Sequence, residues 1–380
     1  MKSVDLPQEV ITEILLRLPV KILLRFRCVC KSWRSLISHD SNFATLHFQL
    51  AASPTQRLVF LGTDEQPNNL SIDFNASLND HSAYASLSLH FLHPQSCPEI
   101  KGSCRGFLFL QCGTGLYLWN PSTGLHKQIP NSPITTGEHE NGYIHGLLHG
   151  LGYNPSTDDY LIVLGSYEND HDLFLPPLSG SIDLEIFSLR ANKWKQIEGG
   201  PYMVSDGYGH PKLGSFLNGA IHWLVCNHET ESHVIIAFDL KELRMLAIPL
   251  PDDFGVSDSG VMQFDMLLLG GLISLWNEDM DTVQIWVMQE YVVHSSWTKT
   301  LVFSIHHIQH DLFTPIYVTN CGDIVGSDGN SGLVKFNDKG QMLEYRSYRN
   351  RLSEPRYIAV YTESLLALPS GTEQAEDVQQ

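Results

Sequence analysis

Basic side chains are scarce in this chain. Its 24 Lys and Arg face 42 Asp and Glu, a net charge of −18 at pH 7, which argues against binding along a phosphate backbone. Cysteines are few and odd in number, seven at scattered positions, so no disulfide framework is expected. Reduced thiols fit a protein of the cytosol or nucleus. No apolar run approaches the roughly 20 residues of a membrane span. Met1-Lys2-Ser3-Val4-Asp5 does not begin the apolar stretch of a secretory leader.

Motifs of cofactor and metal chemistry are also missing. No glycine-rich loop ends in Gly-Lys-Ser/Thr, and Gly207-Tyr208-Gly209 lacks the third glycine of a dinucleotide fingerprint. Gly255-Val256-Ser257-Asp258-Ser259-Gly260 misses nucleophile-elbow spacing by one residue. Cys28 and Cys30 have no second pair to complete a zinc site, and His306-His307-x-x-His310 has no nearby cysteine. Asp170-x-Asp172 lacks the Gly and Glu of a calcium loop. The expectation is a chain with no catalytic residue, no cofactor and no metal.

What is present begins in the first fifty residues. Asp5 and Glu9 put negative charge at a helix start, where Pro7 suits the first turn. Val10, Ile11, Ile14, Leu15 and Leu18 follow amphipathic spacing, and Pro19 ends the run. A second helix fits Val20 to about Arg27, and a third, with Trp33, Leu36 and Ile37, fits about Val29 to Ser38. Three short helices rarely bury enough surface to stand alone. Part of their wide apolar stripes must meet something else, either the rest of the chain or another protein.

The run Leu6-Pro7, Glu9, Ile14-Leu15-Leu16-Arg17-Leu18-Pro19-Val20-Lys21, Leu24, Arg27-Cys28-Val29-Cys30-Lys31-Ser32-Trp33 resembles the F-box motif of plant F-box proteins. The resemblance implies a helical segment that docks on a Skp-type adaptor, and through it on the cullin of a ubiquitin ligase. The residues it assigns to docking are Leu6, Pro7, Ile14, Leu15, Leu18, Pro19, Leu24, Val29 and Trp33, with Leu15 and Leu18 expected to be exposed when no partner is bound.

Past about Arg57 the pattern changes. Short apolar or alternating runs recur between Gly, Pro, Asn and Asp, among them Arg57–Leu61, Gly106–Leu110, Leu116–Trp119, Tyr160–Leu164, Ala220–Val225, Leu272–Trp276 and Leu333–Phe336. Such punctuation predicts an all-β domain. A weak repeat narrows it: Gly106-Phe107-Leu108-Phe109-Leu110, Gly219-Ala220-Ile221-His222-Trp223-Leu224 and Gly271-Leu272-Ile273-Ser274-Leu275-Trp276, with a poorer copy at Gly322. Later copies lie about 50 residues apart, the size of one kelch-type blade. The chain has room for a propeller of about six blades, with Tyr357–Tyr361 returning to close the ring. Trp119, Trp223, Trp276 and Trp286 should be buried within or between blades.

Trp119-Asn120-Pro121-Ser122-Thr123-Gly124, Gly152-Tyr153-Asn154-Pro155-Ser156-Thr157, Gly219-Ala220-Ile221-His222-Trp223 and Ile285-Trp286-Val287-Met288 resemble the F-box-associated domain of the same plant proteins. The organisation expected is therefore 1–50 for adaptor docking, 51–368 for a kelch-like, substrate-recognising propeller and 369–380 as a polar, disordered tail.

Charge is uneven along this layout. Seven basic and four acidic residues leave 1–50 near +3, while 17 basic and 38 acidic leave the remainder near −21. Two stretches longer than hairpins need, Asn131–Gly150 and Ser166–Ser181, hold the candidate target-binding residues Glu138, His139, Glu140, Glu168, Asp170 and Asp172. Their charge fits a basic patch on a target protein. Three functions stay open: a ubiquitin-ligase substrate receptor, a propeller enzyme acting on a small molecule or glycan, and an adaptor-bound scaffold that delivers nothing. The first accounts for both parts of the chain.

Overall fold

The computed structural model describes residues 6–50, 55–61, 69–73, 75–93, 96–132, 148–167, 182–203, 212–227, 229–254, 262–279, 281–306, 308, 313–329, 332–347 and 358–369.

Four helices open it: α1 (Gln8–Leu15), α2 (Val20–Phe26), α3 (Lys31–His39) and α4 (Ser41–Leu50). Pro7 and Pro19 each stand one residue ahead of a helix, with φ of −52° and −58°. Proline's fixed φ suits that position, and their carbonyls accept the first helical N–H groups, Ile11 N at 3.1 Å and Leu23 N at 3.1 Å. The count of three helices is corrected by α4. Asp40 caps it, its Oδ1 accepting Phe43 N–H at 2.9 Å. Phe43, Ala44 and His47 turn inward from α4, and His47 Nε2 lies 2.8 Å from the Leu18 carbonyl in the α1–α2 turn. Leu15, Leu16, Val20, Leu23, Ile37, Phe43 and Ala44 form the small helical core.

Among the described residues the strands make six sheets. The second, fifth and sixth are simple four-stranded meanders: Glu99–Cys104 to His126–Ile129, Met262–Leu269 to Trp297–Ser304, and Thr314–Val318 to Met342–Ser347. The third runs from Leu148–Asn154 to Lys193–Gly200. In the fourth, two short pieces, Tyr202–Met203 and Ser215–Leu217, share the edge of Ala220–Asn227. The first sheet is closed by the other end of the chain: Ile358–Thr362 pairs antiparallel with Gln56–Phe60, Leu58 opposite Val360. First strands of neighbouring sheets lie side by side, Glu99–Cys104 against both Ile358–Thr362 and Leu148–Asn154. The architecture is a closed six-bladed propeller, and closure leaves no pair of free inner edges.

The repeat has a physical origin. Gly106, Gly219 and Gly271 have φ of +88°, +80° and +81°, and the residues before them, Arg105, Asn218 and Gly270, are also at positive φ. Two-residue hairpins between first and second strands demand this backbone, so glycine recurs at the head of the second strand in the second, fourth and fifth blades. That second strand is apolar because both its faces are covered. Six buried clusters fill the seams between adjacent blades: Phe107, Leu151 and Ile162 join the second to the third, for example, and Val163, Ile221 and Phe238 the third to the fourth. The four tryptophans are buried as expected, each in a different seam.

Candidate functional site

Two regions can carry binding: the outer face of the helices and the rims of the propeller. On the helices, Leu6, Val10 and Ile14 recur every four residues and stand 54%, 42% and 49% exposed. Spacing of four places them along one stripe. Val29, in the turn before α3, is 60% exposed. Leaving four large apolar side chains in water is costly at about 25 cal/mol per Å² of apolar surface. A second protein covering the stripe would recover that energy.

The residues expected at this surface divide into three groups. Leu6, Pro7, Ile14, Pro19 and Val29 are exposed. Leu18, Leu24 and Trp33 are half-buried and pack on the helical core, with the Trp33 ring centroid 5.4 Å from that of Phe26. Leu15 is not exposed; only 1% of its surface reaches solvent. The stripe of α1 is apolar on two sides, and Leu15 lies on the side that meets α2, α3 and α4. Val10 joins the exposed set and is signalled only by its spacing from Leu6 and Ile14.

The helices rest on one rim of the propeller. Successive strands of each blade alternate in direction, so the first-to-second and third-to-fourth turns emerge at one rim and all other connections at the opposite one. Phe48 of α4 meets the first rim. The Arg105 guanidinium lies 5.1 Å from the Phe48 ring centroid and 3.7 Å from that of Tyr153, a cation held between two aromatic faces. Tyr153 donates to Asp158 Oδ1 at 2.7 Å, and Asp158 pairs with Arg190 at 2.8 Å. Burial, chiefly, raises the Tyr153 hydroxyl above its ordinary pKa. Beside this contact is a cleft of about 340 Å³ lined by Phe48, Gln49, Arg105, Tyr153, Pro155 and Phe216.

Glu138, His139, Glu140, Glu168, Asp170 and Asp172 lie outside the described residues. The strand ends that flank them, Ile129 and Leu148, then Tyr167 and Ile182, are at the rim opposite the helices. His307 and His310 are likewise outside the described residues, while His306 Nδ1 contacts Ser304 Oγ at 2.6 Å. Among the described residues no group of three His, Cys, Asp or Glu side chains is arranged to hold a metal. No helix among them is long and apolar enough to cross a membrane.

Two family models match the chain: the F-box domain over residues 4–45 and the F-box associated beta propeller domain over residues 57–336. The F-box/kelch-repeat protein At3g23880 of Arabidopsis thaliana is 28% identical over 378 residues, covering 96% of each chain. The F-box protein CPR1 of the same plant is 28% identical over 310 residues, covering 77% of this chain and 72% of its own. Among solved structures, TolB from Acinetobacter baumannii is similar over 84% of this chain and 72% of its own, with a TM-score of 0.41 and 13% identity. An exposed apolar stripe on N-terminal helices, fastened to a closed six-bladed propeller, thus coincides with both matched models, and the chain belongs to the plant-type F-box proteins that carry an F-box-associated propeller.

Proposed function

We propose that this protein is the target-recognition subunit of a Skp–cullin–F-box ubiquitin ligase. The observation that carries the reading is the exposed stripe of Leu6, Val10, Ile14 and Val29 on a helical unit attached to a propeller. Residues 1–50 hold a Skp-type adaptor, which links the chain to a cullin. Residues 51–368, whose blade repeat of about 50 residues is of the kelch kind, hold a target protein, and 369–380 form a tail. The chain itself performs no chemistry. It raises the concentration of target lysines around a ubiquitin-charged enzyme, which is where rate is gained. Its place of action is the cytoplasm or nucleus.

Target recognition is assigned to the rim opposite the helices. Helices and adaptor occupy the near rim, and the stretches holding Glu138, His139, Glu140, Glu168, Asp170 and Asp172 begin and end at the far one. A body near −21 in charge favours a target with a basic patch, with encounter steered by charge and screened by salt. Proximity labelling with the full chain, compared with a chain lacking residues 1–45, supplies the target. Replacing Glu168, Asp170 and Asp172 by Asn or Gln should then slow its association at low salt and flatten the salt dependence. An unchanged association rate at low salt would place the target-binding face elsewhere.

A further inference from the structure

Residues 363–369 run between the helices and the propeller, and their side chains are shared between the two. Leu365 is 6% exposed and completes the helical core with Leu15, Leu16, Val20, Leu23, Ile37, Phe43 and Ala44. Leu366, the next residue, is 5% exposed and belongs to the seam between the second and third blades with Phe107 and Ile162. Leu368 packs on that same seam. Leu365 and Leu366 thus enter different cores, and one short segment fills two.

The backbone of this segment is also held. Asn120, fully buried, points its Nδ2 at the Ser364 carbonyl at 3.2 Å, at Ser364 Oγ at 3.2 Å and at the Leu366 carbonyl at 3.3 Å. Asn120 Oδ1 accepts Ser122 N–H at 2.9 Å and so shapes its own turn. Ser364 N–H donates to Ser122 Oγ at 3.3 Å, and Glu363 N–H to the Thr55 carbonyl at 2.8 Å. The fit is close: a Cβ at Gly106 would collide with Ser364 Oγ. Asn154, in the first-to-second turn of the third blade, makes the same division of labour. Its Oδ1 accepts Ser156 N–H at 3.0 Å and its Nδ2 reaches the Leu240 carbonyl at 2.9 Å. The Asn-Pro-Ser-Thr turn therefore grips a neighbouring segment while capping itself, and in the second blade the segment gripped is residues 364–366.

A single covalent connection between α4 and the first blade would let the helices swing. The strut adds Leu365 as a second point of attachment, and Phe48 on Arg105 adds a third. We propose that residues 363–368 fix the angle between the adaptor-binding helices and the propeller, and that Asn120, Ser364 and Leu365 are positioning residues for ubiquitin transfer. The second half of this proposal rests on the ligase reading above; the first half does not. A swinging propeller spreads target lysines over a larger volume and lowers their effective concentration at the charged enzyme.

The test uses the full chain bound to a Skp-type adaptor, with two variants. Asn120→Asp keeps the acceptor that caps the turn and replaces the donor with a carboxylate facing two carbonyls. Leu365→Ser empties the helical pocket, and Leu365→Met is its volume-conserving control. Spin labels at exposed Ser35 of α3 and exposed Glu242 of the fourth blade, in a background with the exposed cysteines replaced, report the distance between the two parts. The parent and Leu365→Met should give one narrow distribution. Asn120→Asp and Leu365→Ser should broaden it about twofold or more, while adaptor affinity stays within about twofold. With a reconstituted ligase, the chain's own propeller lysines are the acceptor: the parent should modify a restricted set, and the two variants a wider set at lower rates. An unchanged distance distribution in both variants overturns the strut. Broadened distances with no ubiquitin attachment in any form, parent included, retain the strut and overturn the ligase reading.

Discussion

Ile14 and Leu15 are neighbours on α1 and face different sides: Ile14 is 49% exposed and Leu15 1%. One side of the helix is available to a partner, and the other is the floor of the helical core. Ile14→Asp should therefore leave the melting temperature of the free protein nearly unchanged, within about 0.5 kcal/mol of stability. It should weaken adaptor binding by tenfold or more, since about 1.4 kcal/mol of lost contact suffices for that. Leu15→Ala should instead cost about 2–5 kcal/mol of stability in the helical unit. Thermal melts alongside adaptor titrations separate the two. Equal effects of both substitutions on stability would show that α1 does not divide its residues in this way.

The ring closure rests on a buried charge. Arg57 donates through Nε to Ser71 Oγ at 2.5 Å and through its terminal nitrogen to the Ala83 carbonyl at 2.9 Å, and it lies 3.6 Å from Glu363. Tyr361 of the closing strand shares Ser71 Oγ at 3.0 Å. Removing Arg57 leaves Glu363 buried without its partner, a change that costs about 3–5 kcal/mol. Arg57→Ala should lower the denaturation midpoint accordingly. Burial raises the Glu363 carboxyl above its ordinary pKa, against the pull of Arg57. The folded state thus keeps this proton to higher pH than the unfolded state. Without Arg57 the carboxyl moves higher still, so the Arg57→Ala penalty should be smallest in acid and grow as pH rises through and above the raised value. Glu363→Gln in the same background should remove that growth. Denaturant titrations across pH check the sign.

His149 gives the opposite dependence. It is fully buried on the first strand of the third blade, between the Phe109 ring and the region of Lys101. Burial first, and Lys101 second, hold its imidazole well below the usual value of 6.5. The folded form stays neutral where the unfolded form takes a proton. Stability should be full above about pH 6.5 and fall below it, by up to about 1.4 kcal/mol per pH unit. His149→Leu should abolish that acid-side loss. A slope unchanged by the substitution would assign it to other groups.

Much of this fold was legible in the sequence because single residues impose local geometry. Gly106, Gly219 and Gly271 mark hairpins that require positive φ, and the apolar runs behind them fill the seams, so blade number and ring closure followed. Pro7 marked a helix start and Pro19 the break between the first two helices. What escaped depends on contacts between distant residues. The fourth helix is anchored by His47 on the Leu18 carbonyl, and only Asp40, a capping residue, announced it. Leu15 and Ile14 have the same periodicity, and spacing alone does not say which side of an apolar helix meets its own domain. Arg105 between Phe48 and Tyr153, and Leu365 and Leu366 in separate cores, join elements far apart in the chain. The acidic candidates for target binding rest on loop length and charge, and neither property names a contact.

On the reading proposed above, the exposed helical stripe of Leu6, Val10, Ile14 and Val29 is an adaptor-docking surface. Its most direct test is the equilibrium affinity of the purified full chain for a Skp-type adaptor, measured by titration calorimetry for the parent and for a Val10→Asp, Ile14→Asp double variant. The parent should bind with sub-micromolar affinity, below about −8 kcal/mol. The double variant should bind at least a hundredfold more weakly, with an unchanged melting transition of the propeller. No binding by the parent, or equal binding by both proteins, would contradict that reading.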